Sequence, residues 1–383
     1  MRQKAMSKRR IFLILCFSVI LAACSPSIAP TQPSVVPISA SGALPTIAPP
    51  DSSAYTPSGL PTAAPLNPLT GMPPADPTNL ERRPVLVKIS NFPRLGRPHA
   101  GLSAADIVFD YFIGSGTNRF IAVYYGQNAD VIGPVRSGRL VDIQLTGFYG
   151  GLLAFGGAEQ DTVEEIYESL GNRAFSHLEA GEPAFNGTDT HSVIGVFANS
   201  AEITKYAIGA GIDNTRPALD GMLFEARPPA AGKPGTQLTV LFNYYNRAVW
   251  VYDQASGTYL RWIEDMKDED TVYNMVPLVD RNNGKQLAFS NVVVLFAKYT
   301  EIKPAKHQID LVGERGRAML FRDGQSFEAR WSALRADAPI QFTDTSGASL
   351  AFKPGNTWVV LAGLNSSFDQ KNTGEWGMVF MLP

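Results

Sequence analysis

The sequence predicts an α+β protein whose first half mixes strands with helices and whose second half is strands and turns alone. Three observations lead there. Short apolar runs bounded by Gly, Pro and Asn recur in the first half, as strands require. Segments with apolar residues three and four apart follow them, as amphipathic helices require. From Thr236 onward nearly every segment is a short apolar or alternating run closed by turn residues. A chain of 383 residues, 45% hydrophobic and 18% charged, has the length and apolar content for one large or two ordinary domains.

Taken in order, the chain opens with Arg2, Lys4, Lys8, Arg9 and Arg10 ahead of an apolar run, 11–21, about half the ~20 residues that a spanning helix needs. The run closes on Leu21, Ala22, Ala23 and Cys24, which resembles the bacterial lipobox. Residues 1–23 are therefore expected to be a signal peptide, and Cys24 an acylated anchor on the extracytoplasmic face of a cell membrane. Loss of residues 1–23 removes five positive charges and no negative ones, taking the formal net charge from −2 to −7. An acidic body has no electrostatic attraction to anionic lipid, so the acyl chains must hold it there. Residues 25–68 contain 11 of the 28 prolines and a single charge, Asp51. Such a stretch buries too little to fold and should act, from residue 24 to 68, as a tether reaching roughly 40 Å as a coil and 130 Å extended.

In the body, the runs 84–90, 106–113 and 119–125 read as strands of one sheet. Helical spacing marks 138–148, 161–170 and 200–208, with Ser200 ahead of Glu202 as a helix start. The turn-rich stretch 227–235 is the expected boundary between an N-terminal domain, 69–230, and a small all-β C-terminal domain, 236–383. Asn283-Gly284 and Asp323-Gly324 each sit between strand-like runs, a strong hairpin signal.

Several function classes drop out. The charge balance, 33 basic against 35 acidic residues, gives nucleic acid no basic surface. The only cysteines, Cys16 and Cys24, lie at the N-terminus, which leaves the body without a disulfide framework, a cysteine metal cluster or a cysteine nucleophile. His177 with Glu179 and His191 with Asp189 lack any metal-ligand spacing, so no metal is expected. There is no Gly-x-Ser-x-Gly elbow, and neither Gly114-Ser115-Gly116 nor Gly150-Gly151 continues into a phosphate loop or dinucleotide fingerprint; no cofactor is expected.

What remains is a bias toward arginine. Between residues 84 and 142 the basic residues are Arg94, Arg97, Arg119, Arg136 and Arg139, with a single lysine, Lys88. A guanidinium fork suits carboxylate or phosphate, so Arg97 and Arg119 are candidate anion ligands, although Asp106, Asp110 and Asp142 in the same segment offer internal partners. Arg136 and Arg139 stand apart. They flank a helix start at which Ser137 is the expected N-cap, and a helix N-terminus is already positive. Two guanidiniums there call for an anion, either Asp142 or an external phosphate or carboxylate. His191 beside Asp189 could do general acid or base work with Asp106 or Asp110. Tyr244, Tyr245, Trp250, Tyr252, Tyr259 and Trp262 could stack on glycan, core packing being the plainer use.

The residues Pro68-Leu69-Thr70-Gly71, Arg83-Pro84, the stretch 97–108, Thr117 to Phe120 and Gly133 to Arg139 together resemble the YerB-like lipoprotein family. So does the second half through Leu260-Arg261, 290–294, Trp331 and 354–358. The resemblance covers about residues 66–368. It implies an N-terminal three-layer α/β sandwich followed by a β domain, on a surface lipoprotein with no assigned activity. The chain departs from the family pattern at Phe155-Gly156, where a His before the glycine is expected, and at Thr190-His191-Ser192, where Pro-His-Asn is expected. The resulting expectation is a membrane-anchored binding or assembly module with an anion site at Arg136, Ser137 and Arg139. Its partners would be the bilayer through Cys24, an anionic small molecule or envelope glycan, and a protein. The alternative is an envelope-polymer hydrolase or transferase using His191 and a carboxylate.

Overall fold

A computed structural model describes residues 65–187, 192, 194–266, 272–303 and 306–383. The signal peptide, Cys24 and nearly all of the tether lie outside these residues, as do Asp189 and His191. The expected end of the tether moves. Asn67 is 1% exposed and belongs to the folded body, where its amide nitrogen donates to Asp106 Oδ1 at 2.8 Å and its carbonyl accepts from the Gly71 N–H.

The three expected strands of the first half are present as β1 (Val85–Ser90), β2 (Ile107–Gly114) and β3 (Thr117–Tyr124). Their continuous apolar runs are buried on both faces, so alternation is absent in sequence and in burial alike. Helix α1 (Leu140–Phe148) starts two residues later than expected, α2 is Gln160–Leu170, and α3 is Ser200–Gly209. The α3 cap is Asn199, whose side chain accepts from the N–H groups of Ala201 and Glu202 at 3.0 and 3.1 Å; Ser200 is the first helical residue. Strands β4 (Leu152–Phe155) and β5 (Ala174–Ser176) extend the sheet beyond β1, both in parallel.

The second half contributes β6 (Gln237–Asn243), β7 (Asn246–Asp253), β8 (Thr258–Asp265), β9 (Asn291–Lys303), β10 (Glu314–Arg322), β11 (Gln325–Ala333), β12 (Thr357–Gly363) and β13 (Glu375–Val379). These do not form a sheet apart from the first half. The main sheet runs β11, β10, β9, β12, β2, β3, β1, β4, β5, with Gln341–Thr343 beyond β11. The seam is β12, which pairs in parallel with β9 on one side (Thr357 opposite Asn291) and with β2 on the other (Thr357 opposite Ile107). A second sheet of β8, β7, β6 and β13 shows the in-out alternation of a sheet with one face buried. Its inner face meets the seam. Trp358 of β12 is fully buried with its ring centroid 5.9 Å from Trp250 of β7 and 5.1 Å from Phe120 of β3.

Turn chemistry divides the two expected hairpins. Asp323 and Gly324 both have positive φ, 52° and 69°, and close a two-residue turn with Arg322 opposite Gln325. Asn283-Gly284 instead ends a longer loop in which Asp280 O accepts from the N–H groups of both. The stretch 227–235 marks the change in composition, and it is tied down by backbone rather than apolar contacts. Lys233–Pro234 pairs with β11, Pro234 O accepts from the Trp376 indole at 2.9 Å, and Ala226 O accepts from Arg322 at 3.0 Å.

Candidate functional site

The strand register places Lys88, Tyr111 and Arg119 on one face, because Ser90 and Tyr111 both lie opposite Arg119 and Lys88 lies opposite Ile121. Helix α1 covers that face and brings Asp142 onto Lys88. Both side chains are fully buried, with Nζ to Oδ1 at 3.3 Å, and the Tyr111 hydroxyl donates to the same carboxylate. The other carboxylate oxygen accepts from the Arg139 backbone N–H at 2.7 Å. Arg139, rather than Ser137, is thus the N-cap of α1; Asp142 reaches back from the third helical position to its N–H, while the guanidinium, which has no acceptor, makes no reciprocal cap. Burial pulls the Lys88 ammonium down to about 7 against the attraction of Asp142, with Arg119 and Arg139 adding to the depression.

Around this buried core sit three guanidiniums. Arg119 is 8% exposed, and its Nη1 donates to Ser137 O at 2.8 Å. Arg139 Nη1 donates to Gly138 O at 2.7 Å. The Nε groups of Arg119, Arg136 and Arg139 are buried without a hydrogen-bond partner, and among the described residues none of the three makes a salt bridge. Burial first, then the charges of Arg139 and Arg136, pull Arg119 down to about 9. Arg136 is lowered too, by burial and then by Arg139. Arg119 therefore feels the like charges of Arg139 and Arg136, with only the weaker pull of Asp142 and Tyr111 against them, and Asp142 is hydrogen-bonded instead by Lys88, Tyr111 and the Arg139 N–H. His307, on the strand Lys306–Asp310 paired with β9, is buried and packs on Phe112 at 5.3 Å between centroids, on the face of β2 opposite Tyr111.

Arg97 belongs elsewhere. Its Nη2 lies 3.0 Å from Glu264 Oε1 of β8 and its Nε donates to Asn91, while Glu264, fully buried, also pairs with Arg94 at 3.3 Å. Asp110 lies in the same junction between the halves. It pairs with Arg261 at 3.3 Å, accepts from Asn118 at 2.5 Å, and is pushed up to about 6 by burial, with Arg261 and Asn118 opposing. Arg261 is fully buried, its guanidinium 4.1 Å from the centroid of the Trp358 ring. Both residues therefore act as fasteners of the two halves. Asp106 fastens the chain's entry, accepting from Asn67, Tyr125 N–H and Gly126 N–H, and burial lifts it to about 6 against those bonds.

Of the aromatic residues considered as glycan platforms, Trp250 and Tyr259 are fully buried core, and only Tyr244 is well exposed. A cleft of about 610 Å³ lies between Arg83, Gln144, Arg173 and Arg335, away from the arginine cluster. Its arginines are occupied: Arg83 by Asp213, Arg173 by Gly151 O and Arg335 by Asp337. Sequence reasoning passed over Lys88, Tyr111 and Arg261 as site or junction residues. The available signal was a charged residue at an inward position of an apolar strand, as in 85–90 and at Arg261 between Leu260 and Trp262.

The N-terminal domain described as "Protein of unknown function (DUF3048)" matches residues 69–213, and the corresponding C-terminal domain matches residues 238–359. A protein of Bacillus subtilis (strain 168) named "Putative lipoprotein YerB" is 25% identical over 309 residues, 77% of this chain and 86% of that protein. The crystal structure of YerB protein from Bacillus subtilis superposes with a TM-score of 0.65, covering 78% of this chain and 96% of that one at 25% identity.

Proposed function

This chain belongs to the DUF3048 family, and on that premise we propose that it is an extracytoplasmic lipoprotein that binds an anionic group at Arg119, Arg136 and Arg139. The anchor is acylated Cys24, and residues beyond it hold the body off the membrane as a tether; the name of the Bacillus subtilis relative supports this localisation. No helix among the described residues is long and apolar enough to cross a membrane. The ligand is an anionic small molecule or the anionic group of an envelope glycan, and the body serves as a binding or assembly module. The reading includes a three-layer arrangement of the first half, with α1 and α2 on one face of its strands and α3 on the other. Phe155 against Tyr167 of α2 at 6.0 Å, and Phe175 against Tyr206 of α3 at 5.1 Å, support it.

One observation carries the anion site: three guanidiniums converge at the start of α1 with no carboxylate partner among the described residues. Arg119 makes this more than a favourable helix end, since a side chain nine-tenths buried holds an unpartnered Nε there. Thermal melts of wild type and Arg136→Ala, with and without sulfate, phosphate or citrate, test it. The expected result is a wild-type melting temperature that rises with anion, a lost or reduced rise in the variant, and an anion-free variant as stable as wild type or more so. Saturation at about a hundred times Kd corresponds to roughly 2.7 kcal/mol. A large drop on substitution together with an anion-independent wild type would make Arg136 architectural.

A further inference from the structure

We propose that Lys88 of β1 and Asp142 of α1 condense into an intramolecular isopeptide bond, with Tyr111 of β2 as the catalytic proton relay. The bond needs no ligand at the arginines and stands apart from the anion reading.

Three features single out this pair. Both side chains are fully buried, with Nζ 3.3 Å from Oδ1, within the range at which a positioned nucleophile reacts. Water reaches other lysine ion pairs instead: Lys306 meets the half-exposed Asp161, and Lys353 and Asp323 are both partly exposed. One hydroxyl bridges the two reacting groups, since Lys88 Nζ donates to the Tyr111 oxygen and Tyr111 donates to Asp142 Oδ1. Asp142 Oδ2 accepts from the Arg139 N–H at 2.7 Å, a donor fixed in place by the start of α1. A buried ion pair carries a desolvation cost that an amide of the same atoms escapes. Burial also pulls Lys88 down to about 7, which eases the loss of its proton. With its only cysteines at positions 16 and 24, the body has no disulfide, and this bond would tie together residues 54 apart in the chain.

The reaction releases one water. The ammonium passes a proton to the Tyr111 oxygen as the hydroxyl hands its own to Oδ1, leaving a neutral amine beside a neutral acid. The Nζ lone pair then adds to Cγ, and the carbonyl electrons move to Oδ2, whose negative charge faces the Arg139 N–H. A second proton follows the same route from Nζ to Oδ1, the Cγ–Oδ1 bond breaks with its electron pair, water departs, and the carbonyl re-forms at Oδ2. The helix cap survives, because the amide oxygen still accepts from Arg139. The ion pair is the state before this reaction, and the titration of Lys88 belongs to chain in which the amide has not formed.

Tryptic mapping of the full chain, purified in non-ionic detergent and denatured before digestion, detects the bond. Trypsin does not cut after an acylated lysine, so the expected product is a branched peptide joining 83–94 to 140–173, lighter than the two linear peptides together by one water molecule. Tandem fragmentation should place the branch at Lys88 and Asp142. Complete cleavage after Lys88, with 140–173 at its unmodified mass, would overturn the proposal, and wild type alone decides this. Lys88→Arg keeps the positive charge and should give no branched peptide; a branch on 140–173 in that variant would put the link on another lysine and overturn the pairing. Sampling at intervals from the end of cell-free synthesis gives the rate of linkage. Tyr111→Phe, checked for cooperative unfolding in urea, keeps the ring and should link about 10²-fold more slowly. Linkage of that variant at the wild-type rate would overturn the relay.

Discussion

Trp358→Ala tests whether the two halves stand or fall together. The ring is fully buried at the seam strand β12 and touches Phe120 of the first half, Phe289 and Trp250 of the second, and the guanidinium of Arg261. Truncating a buried Trp costs about 3–5 kcal/mol for lost transfer and cavity. Three ring contacts and a desolvated cation–π contact place this site at the upper end, about 5 kcal/mol. Urea unfolding followed by two probes measures it. All five tryptophans lie in the second half, so fluorescence reports that half, and hydrogen exchange of the β1 and β3 amides reports the first. One sheet shared through β12 requires coincident transitions in wild type and a parallel shift of both in the variant. Two separated transitions, or a variant that moves fluorescence while β1 protection is unchanged, would refute the welded sheet. A cost below about 2 kcal/mol would refute the packing argument.

Four further outcomes are open to measurement. Protease should nick the exposed loop near Arg227 first, and the two fragments should stay together on size exclusion because β2 and β12 remain paired; separation would show independent halves. Asp110 is raised from 3.8 to about 6, so the stability it contributes is full below about 3.8 and is lost as pH rises through about 6. The stability of wild type relative to Asp110→Asn should therefore grow by up to roughly 3 kcal/mol as pH falls from neutrality toward 4, and denaturant melts showing a flat difference would contradict this. Lys88 is lowered from 10.5 to about 7 and acts in the opposite sense, so wild type should gain on Lys88→Met as pH rises from 7 toward 10. Finally, Cys24→Ala should shift the chain from the membrane to the soluble fraction, and membrane retention in high salt would sink the lipid-anchor proposal.

Local chemistry was legible from the sequence wherever a single segment decided the outcome. The strands at 85–90, 107–114 and 117–124 follow from apolar runs between turn residues, α2 and α3 from their spacing, and the β10–β11 turn from Asp323-Gly324. The arginines at the start of α1 were conspicuous because positive charge at a helix N-terminus is electrostatically unfavourable without an anion, a rule that needs no tertiary information. Whether that anion was internal could only be decided in three dimensions. Asp142 is near in sequence, but a lysine 54 residues away on β1 and a tyrosine on β2 occupy it. The same holds for Arg97 and Asp110, whose partners Glu264 and Arg261 lie 167 and 151 residues distant. The strand pairing of β12 with β2 was likewise invisible, because parallel pairing between remote strands leaves no turn to read and both strands are buried on two faces, which erases the alternation that would show their side. Composition along the chain marks the break at 227–235, but the hydrogen-bonded register of the folded sheet carries the two halves across it as one body.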